Sequence, residues 1–128
     1  MTAPTRGERN KATGQAGEEL AADYLKRLGY ELLGRNYRCR GGEVDIVARD
    51  GATLVFVEVK TRRSTAFGLP QQAVTQFKQR QIARAAQTWL AQHRKHGTSA
   101  RFDVLSVLLL PDRPAEIEHI TNAFDLPH

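Results

Sequence analysis

The chain has 128 residues, a mass of 14.3 kDa, 41% hydrophobic residues and a formal net charge of +5, the profile of one globular domain large enough to fold without staples. No run approaches the ~18 apolar residues of a membrane span, and the first 17 residues lack the apolar core of a signal peptide. Cys39 is the only cysteine, which excludes a disulfide framework and a multi-cysteine zinc site and fits a reducing cytoplasm.

Residues 1–12 are polar, carry Pro4 and Gly7, and read as a flexible tail before a single domain over 13–128. Ala16, Leu20, Ala21, Tyr24, Leu25 and Leu28 recur at steps of three and four, which predicts a helix over 14–28 stopped by Gly29. A short strand over 30–33 follows. Gly41-Gly42 punctuates the chain before residues 43–49, where polar and apolar residues alternate. Asp50-Gly51 signals a hairpin turn, and 54–60 is the Val- and Phe-rich second arm. Residues 64–70 read as a loop. Thr75 is a fitting N-cap for a long helix to about Arg94, with a stripe of Ile82, Ala85, Ala86, Trp89 and Leu90 placing Trp89 in the core. Residues 102–110 form a strand whose apolar end suits a position buried on both faces. Pro111 and Pro114 bracket a turn before a last edge strand over 116–120. The order, helix, three strands, helix, strand and a final edge strand, predicts an α/β fold with helices packed on a mixed sheet.

The hairpin carries the chemistry. Residues two apart on a strand share a face. Glu43, Asp45 and Val47 therefore lie together on the first arm, and Leu54, Phe56, Glu58 and Lys60 on the second. A two-residue turn at Asp50-Gly51 pairs Arg49 with Ala52. Asp45 then faces Phe56, Glu43 faces Glu58, and Asp45 and Glu58 become diagonal neighbours about 7–8 Å apart at Cα. Three carboxylates on one face suit a hard divalent cation such as magnesium or manganese, although a polar face meeting water explains them equally. Lys60 stays near without being a ligand, placed to act on a water or on phosphate charge. Glu18 falls at the edge of the apolar arc of the first helix, whereas Glu19 faces solvent.

Charge is unevenly spread. Residues 59–102 hold nine basic residues and no acid, a pattern suited to a polyanion. Arg62, Arg63, Lys78 and Arg80 are the candidate nucleic-acid contacts, with Ser64 and Thr65 suited to phosphate. Asp103 beside Arg101 reads as a structural ion pair. His93 and His96 lack the further ligands a zinc site needs, and His119 and His128 are isolated.

Gly42-Glu43-Val44-Asp45 followed by Val57-Glu58-Val59-Lys60 resembles the PD-(D/E)XK nuclease superfamily of restriction endonucleases and Holliday-junction resolvases. With residues 14–18, Ala73-Val74-Thr75, Lys78 and Arg101-Phe102-Asp103-Val104, the chain resembles the YraN family of bacterial proteins over about 14–124. The resemblance implies a restriction-endonuclease-like αβββαβ core. It implies that Asp45, Glu58 and the main-chain carbonyl of Val59 bind Mg2+ or Mn2+, that Glu18 joins them, and that Lys60 is the catalytic lysine. Glu43 is a further candidate. Val44 stands where the superfamily motif has proline. The function expected is a divalent-metal-dependent endonuclease on DNA, branched or otherwise structured; cleaving a junction would call for a homodimer presenting two sites. The alternative is a non-catalytic nucleic-acid-binding module or adaptor that retains the fold.

Overall fold

The computed structural model describes residues 2–63, 74–95 and 97–125. The order is α1 (Arg6–Arg27), β1 (Glu31–Cys39), β2 (Gly42–Asp50), β3 (Thr53–Arg62), α2 (Gln76–Gln92), β4 (Ala100–Leu110) and β5 (Arg113–Phe124). The strands form one five-stranded sheet in the order β1-β2-β3-β4-β5. β3 and β4 are parallel and the other neighbours antiparallel. This is the expected mixed sheet with two helices, consistent with a restriction-endonuclease-like core. The expected loop over 64–70, Ser64 and Thr65 within it, His96 and His128 lie outside the described residues.

Strand alternation sorts the core into two layers. Ala21, Ala22 and Leu25 of α1 pack on Ile46, Ala48, Val55, Val57, Val59, Leu105 and Val107. Ile82, Ala83, Ala85, Ala86 and Trp89 of α2 pack on the other face, against Val47, Leu54, Phe56, Phe102 and Val104. Phe56 anchors that layer, edge-on to Trp89 with centroids 5.9 Å apart. Trp89 is core, as expected, and β4 is buried on both faces from Phe102 to Val107. Both helices end in a Schellman motif: the Tyr30 N–H donates to the Leu25 carbonyl at 3.0 Å, and Lys95 to Leu90 at 2.8 Å. Gly29 supplies the left-handed residue of the first with φ +90°, whereas Arg94 supplies it in the second with φ +54°.

The structure departs from the sequence expectation at four places. β1 does not stop near residue 33 but runs on to Cys39, paired with β2 along its length. α1 begins at Arg6, inside the segment read as a tail, because the Thr5 hydroxyl caps it by accepting from the Glu8 N–H at 3.1 Å. Pro114 lies within β5 rather than flanking it, as an edge strand tolerates. The hairpin pairs Asp50 with Thr53, so its turn is Gly51-Ala52 and every pairing moves by one step along each arm. Gly51 at φ +60° takes the first central position, where a type II′ turn needs glycine. Asp45 thus no longer faces Phe56, whose partner is Val47.

Candidate functional site

The β2–β3 ladder ends at the Ile46–Val57 pair. Beyond it each strand keeps only its outer neighbour: β2 stays on β1 as far as Gly42, and β3 stays on β4 as far as Arg62. The sheet therefore splits between its two central arms. Val44 joins the α2-side layer with Val47, not Ile46 and Ala48 as strict alternation would have it. Asn36, the β1 residue beside Asp45, has φ +52°. The main-chain N–H of Val59 has no strand partner on the β2 side and instead donates to Asp45 Oδ2 at 2.8 Å. An open ladder is thus completed by a side chain, which fixes the Asp45 carboxylate.

Glu58 lies in the same split, 3% exposed, and its Oε2 is buried with no hydrogen-bond partner. Its other oxygen, Oε1, is 3.7 Å from Lys78 Nζ and 3.9 Å from Lys60 Nζ. Burial first, and the charge of Asp45 second, push the Glu58 carboxyl up from 4.5 to about 8. Burial also raises Asp45, against the lowering effect of the Val59 N–H. Two buried carboxyls side by side, both raised first by burial, are the kind of perturbed pair that gathers at functional sites.

Lys78 is the residue whose role differs most from the sequence expectation. It is not an open surface contact. Its ammonium donates to Glu43 Oε1 at 2.5 Å, and this bond holds the Glu43 carboxyl below its ordinary range. Glu43 also lies 3.8 Å from Arg38 Nε, so it is neutralised by cations rather than joined to Asp45. A signal is present in the sequence: Thr75 caps α2, which puts Lys78 in the first turn, where the positive helix end disfavours a cation without a carboxylate partner.

A groove of 470 Å³ opens over the split, lined by Glu18, Glu43, Asp45, Val59 and Lys60 together with Asn10, Thr13 and Arg38. Glu18 enters from α1, and its carboxyl is raised by burial and then by the charge of Asp45. Its approach depends on Gly17, where a Cβ would fall 1.8 Å from Thr61 Oγ1, so only glycine lets α1 sit this deep on β3. Glu19 is exposed and pairs with Arg35 at 2.8 Å. Among the described residues, no three His, Cys, Asp or Glu side chains stand within reach of one ion. Asp45 and Glu58 form a pair, and Glu18 lines the groove with Asp45.

The candidate nucleic-acid contacts separate. Arg63 borders the groove and donates to Thr13 at 2.9 Å, Arg62 reaches Ser106 on β4 at 3.5 Å, and Arg80 is exposed on α2. The acid-free block is partly neutralised in space, since Lys60, Lys78 and Arg101 all meet acids from other strands or their own. Arg101 pairs with Asp103 at 3.1 Å, as expected. His119 is not isolated: its Nε2 is 2.7 Å from Asp103. His93 stacks on Trp89. No helix among the described residues is long and apolar enough to cross a membrane.

A family model described as "Uncharacterised protein family UPF0102" matches residues 17–107, a span that includes Glu18, Asp45, Glu58, Lys60 and Lys78. The chain is similar to a UPF0102 protein of Geobacter sulfurreducens, 62% identical over 120 residues that cover 93% of each chain. It is 56% identical to one of Trichlorobacter lovleyi over 126 residues, 98% of this chain and 99% of the relative. A third, from Syntrophus aciditrophicus, is 50% identical over 123 residues and 96% of each.

Proposed function

The chain belongs to uncharacterised protein family UPF0102, the YraN family, and from the geometry of its groove we propose that it is a divalent-metal-dependent endonuclease acting on branched or otherwise structured DNA. The observation that carries this reading is Glu58: a buried carboxyl with an orphaned oxygen in the split between β2 and β3, beside Asp45, which lines an open polar groove. A buried polar atom without a partner is costly, and a hard cation with oxygen ligands would satisfy it.

Asp45 and Glu58 would hold Mg2+ or Mn2+ with the Val59 carbonyl, and Glu18 is placed to join from α1. When bound, the ion would supply Lewis-acid polarisation of the phosphodiester and a more acidic water. The chain's own groups do the rest. The Val59 N–H orients Asp45. Lys60, on the groove wall, stabilises negative charge growing on the phosphate oxygens and can give up or take a proton at Nζ. Lys78 neutralises Glu43 and so keeps a third carboxylate from repelling the nucleic acid.

The test is a cleavage panel of linear, nicked, flapped and four-way DNA with magnesium or manganese. Asp45→Asn should abolish metal-dependent cleavage while leaving metal-free DNA binding equal or stronger, because it removes a negative charge facing the phosphates. Lys60→Ala should keep metal binding and slow cleavage by about 10²–10⁴-fold. The second reading, DNA binding without cleavage, draws on the absence of a third close ligand among the described residues. It wins if wild type binds DNA but neither takes up manganese nor cleaves any member of the panel.

A further inference from the structure

The groove does not end at the carboxylates. A second cavity of 470 Å³ continues it, lined by Arg9, Asn10, Thr13, Thr61 and Arg63. Asn10, Thr13 and Thr61 line both, so the two cavities are one trough running along the first turns of α1. The far end contains no acidic side chain, in contrast to the near end with Glu18, Glu43 and Asp45.

We infer that this far end is a phosphodiester-binding subsite, in which Arg9, Asn10, Thr13 and Arg63 hold the nucleic-acid backbone next to the phosphate at Asp45 and Glu58. The inference rests on the nuclease reading and extends it to residues of the segment that sequence alone suggests is a tail. The donor set has the right chemistry. Arg9 commits one donor to the Pro4 carbonyl at 2.9 Å, and Arg63 commits Nε to Thr13 Oγ1 at 2.9 Å. A guanidinium has five N–H donors, so each arginine keeps most of its fork for phosphate oxygens. Those two bonds also restrict each side chain before a ligand arrives. Asn10 adds an amide, the kind of neutral donor common in backbone contacts.

The spacing also fits. Glu18 and Arg9 are on the same helix, nine residues apart in number, hence about 13 Å at 1.5 Å rise per residue. That is about four base-pair rises of 3.4 Å along a duplex axis, and since the phosphates of one strand wind round that axis they stand farther apart than one rise. The trough is thus long enough for the scissile phosphate and the neighbour or two next to it. A strand held there runs along α1, leaving the exposed Arg80 on α2 for another part of a branched substrate.

The experiment measures fluorescence-anisotropy binding of a labelled four-way DNA in EDTA from 50 to 200 mM salt. The proteins are wild type, Arg9→Gln/Arg63→Gln, Asn10→Asp, and Lys26→Gln/Arg27→Gln as a charge-matched control at the other end of α1. The Arg9/Arg63 variant should bind about tenfold or more weakly at low salt, and its salt slope should fall by about 0.9 for each duplex phosphate it no longer neutralises. Asn10→Asp should weaken binding although it places an acid near the helix start, where helix electrostatics favour one. The control should change much less, and manganese uptake should be the same in all four. Wild-type binding with Arg9/Arg63 and Asn10 variants no weaker than the control would overturn the subsite and leave the nuclease reading standing. No binding by wild type at 50 mM salt would overturn both.

Discussion

Removing the proton from Glu58 should destabilise the metal-free protein, and the size of the effect follows from its position. The carboxyl is 3% exposed and shifted from 4.5 to about 8. An unfolded chain releases this proton near the ordinary value, whereas the folded chain keeps it until about pH 8. Across that window the folded state holds more protons, so stability falls as pH rises. Each pH unit costs up to 1.36 kcal/mol for one proton, so the step from pH 5.5 to 7.5 removes about 2–3 kcal/mol and the whole window on the order of 5 kcal/mol. Asp45 is raised too and adds in the same direction at its acidic end; Glu43 and Asp103 are lowered, and their contribution is lost only at more acid pH. The assay is urea denaturation in EDTA at half-unit steps from pH 5.5 to 8. Glu58→Gln keeps the shape without the titrating proton, so its profile should be flatter and should cross above wild type near pH 8. Millimolar manganese should restore wild type at pH 8, by RT ln(1 + [Mn]/Kd), and do little for the variant. Parallel pH profiles for the two proteins would refute the electrostatic account of the site.

Other outcomes follow from the packing already described. Gly17→Ala should lower cleavage and stability together, because its Cβ meets Thr61 at 1.8 Å and must lift α1 with Glu18; thermal melts and the cleavage panel read both. Gly42→Ala places a Cβ 2.6 Å from the Gln81 carbonyl oxygen, a backbone atom that cannot swing aside, and should cost about 1–3 kcal/mol, as overpacking does, measured by urea midpoint. Arg94→Gly should stabilise by about 1 kcal/mol in the same assay, since Arg94 holds a left-handed conformation at the end of α2. Asp103→Asn should cost about 1–3 kcal/mol, because it breaks up the hydrogen bonds that the buried carboxylate accepts from Arg101 and the Asn122 N–H and shares with His119, and circular dichroism melts should show it with the carboxylate groove still able to bind manganese.

Strand parity puts Asp45 and Glu58 on one side for any loop of even length, because moving both arms by one step keeps odd and even positions together. It cannot supply the register, since Asp50-Gly51 and Gly51-Ala52 are both two-residue turns that put Gly51 at positive φ; what separates them is that Asp50 is not at positive φ and pairs with Thr53. Nor can it foresee that the ladder opens at Ile46: periodicity describes a regular strand, and the split depends on β1 and β4 pulling the two arms apart. Lys78 reads from its own helix as a surface cation, while its partners Glu43 and Glu58 come from strands about 20–35 positions earlier. The start of α1 is legible in Thr5 and Glu8, which have capping-box spacing, but the all-polar turns after them offer no apolar stripe to mark a helix.

Both rims of the sheet are built against extension. β1 carries an irregularity between Leu32 and Gly34 and a left-handed Asn36; β5 has Pro114, a left-handed Asn122 and two register shifts against β4. Kinks and prolines of this kind interrupt the row of free N–H and C=O groups that a passing strand would use. A second copy of the chain therefore gains little by adding to the sheet, and neither does a partly unfolded one, so self-association through strand addition and aggregation by the same route are both discouraged. Copies of the chain that do meet would have to do so through side chains rather than through a shared sheet.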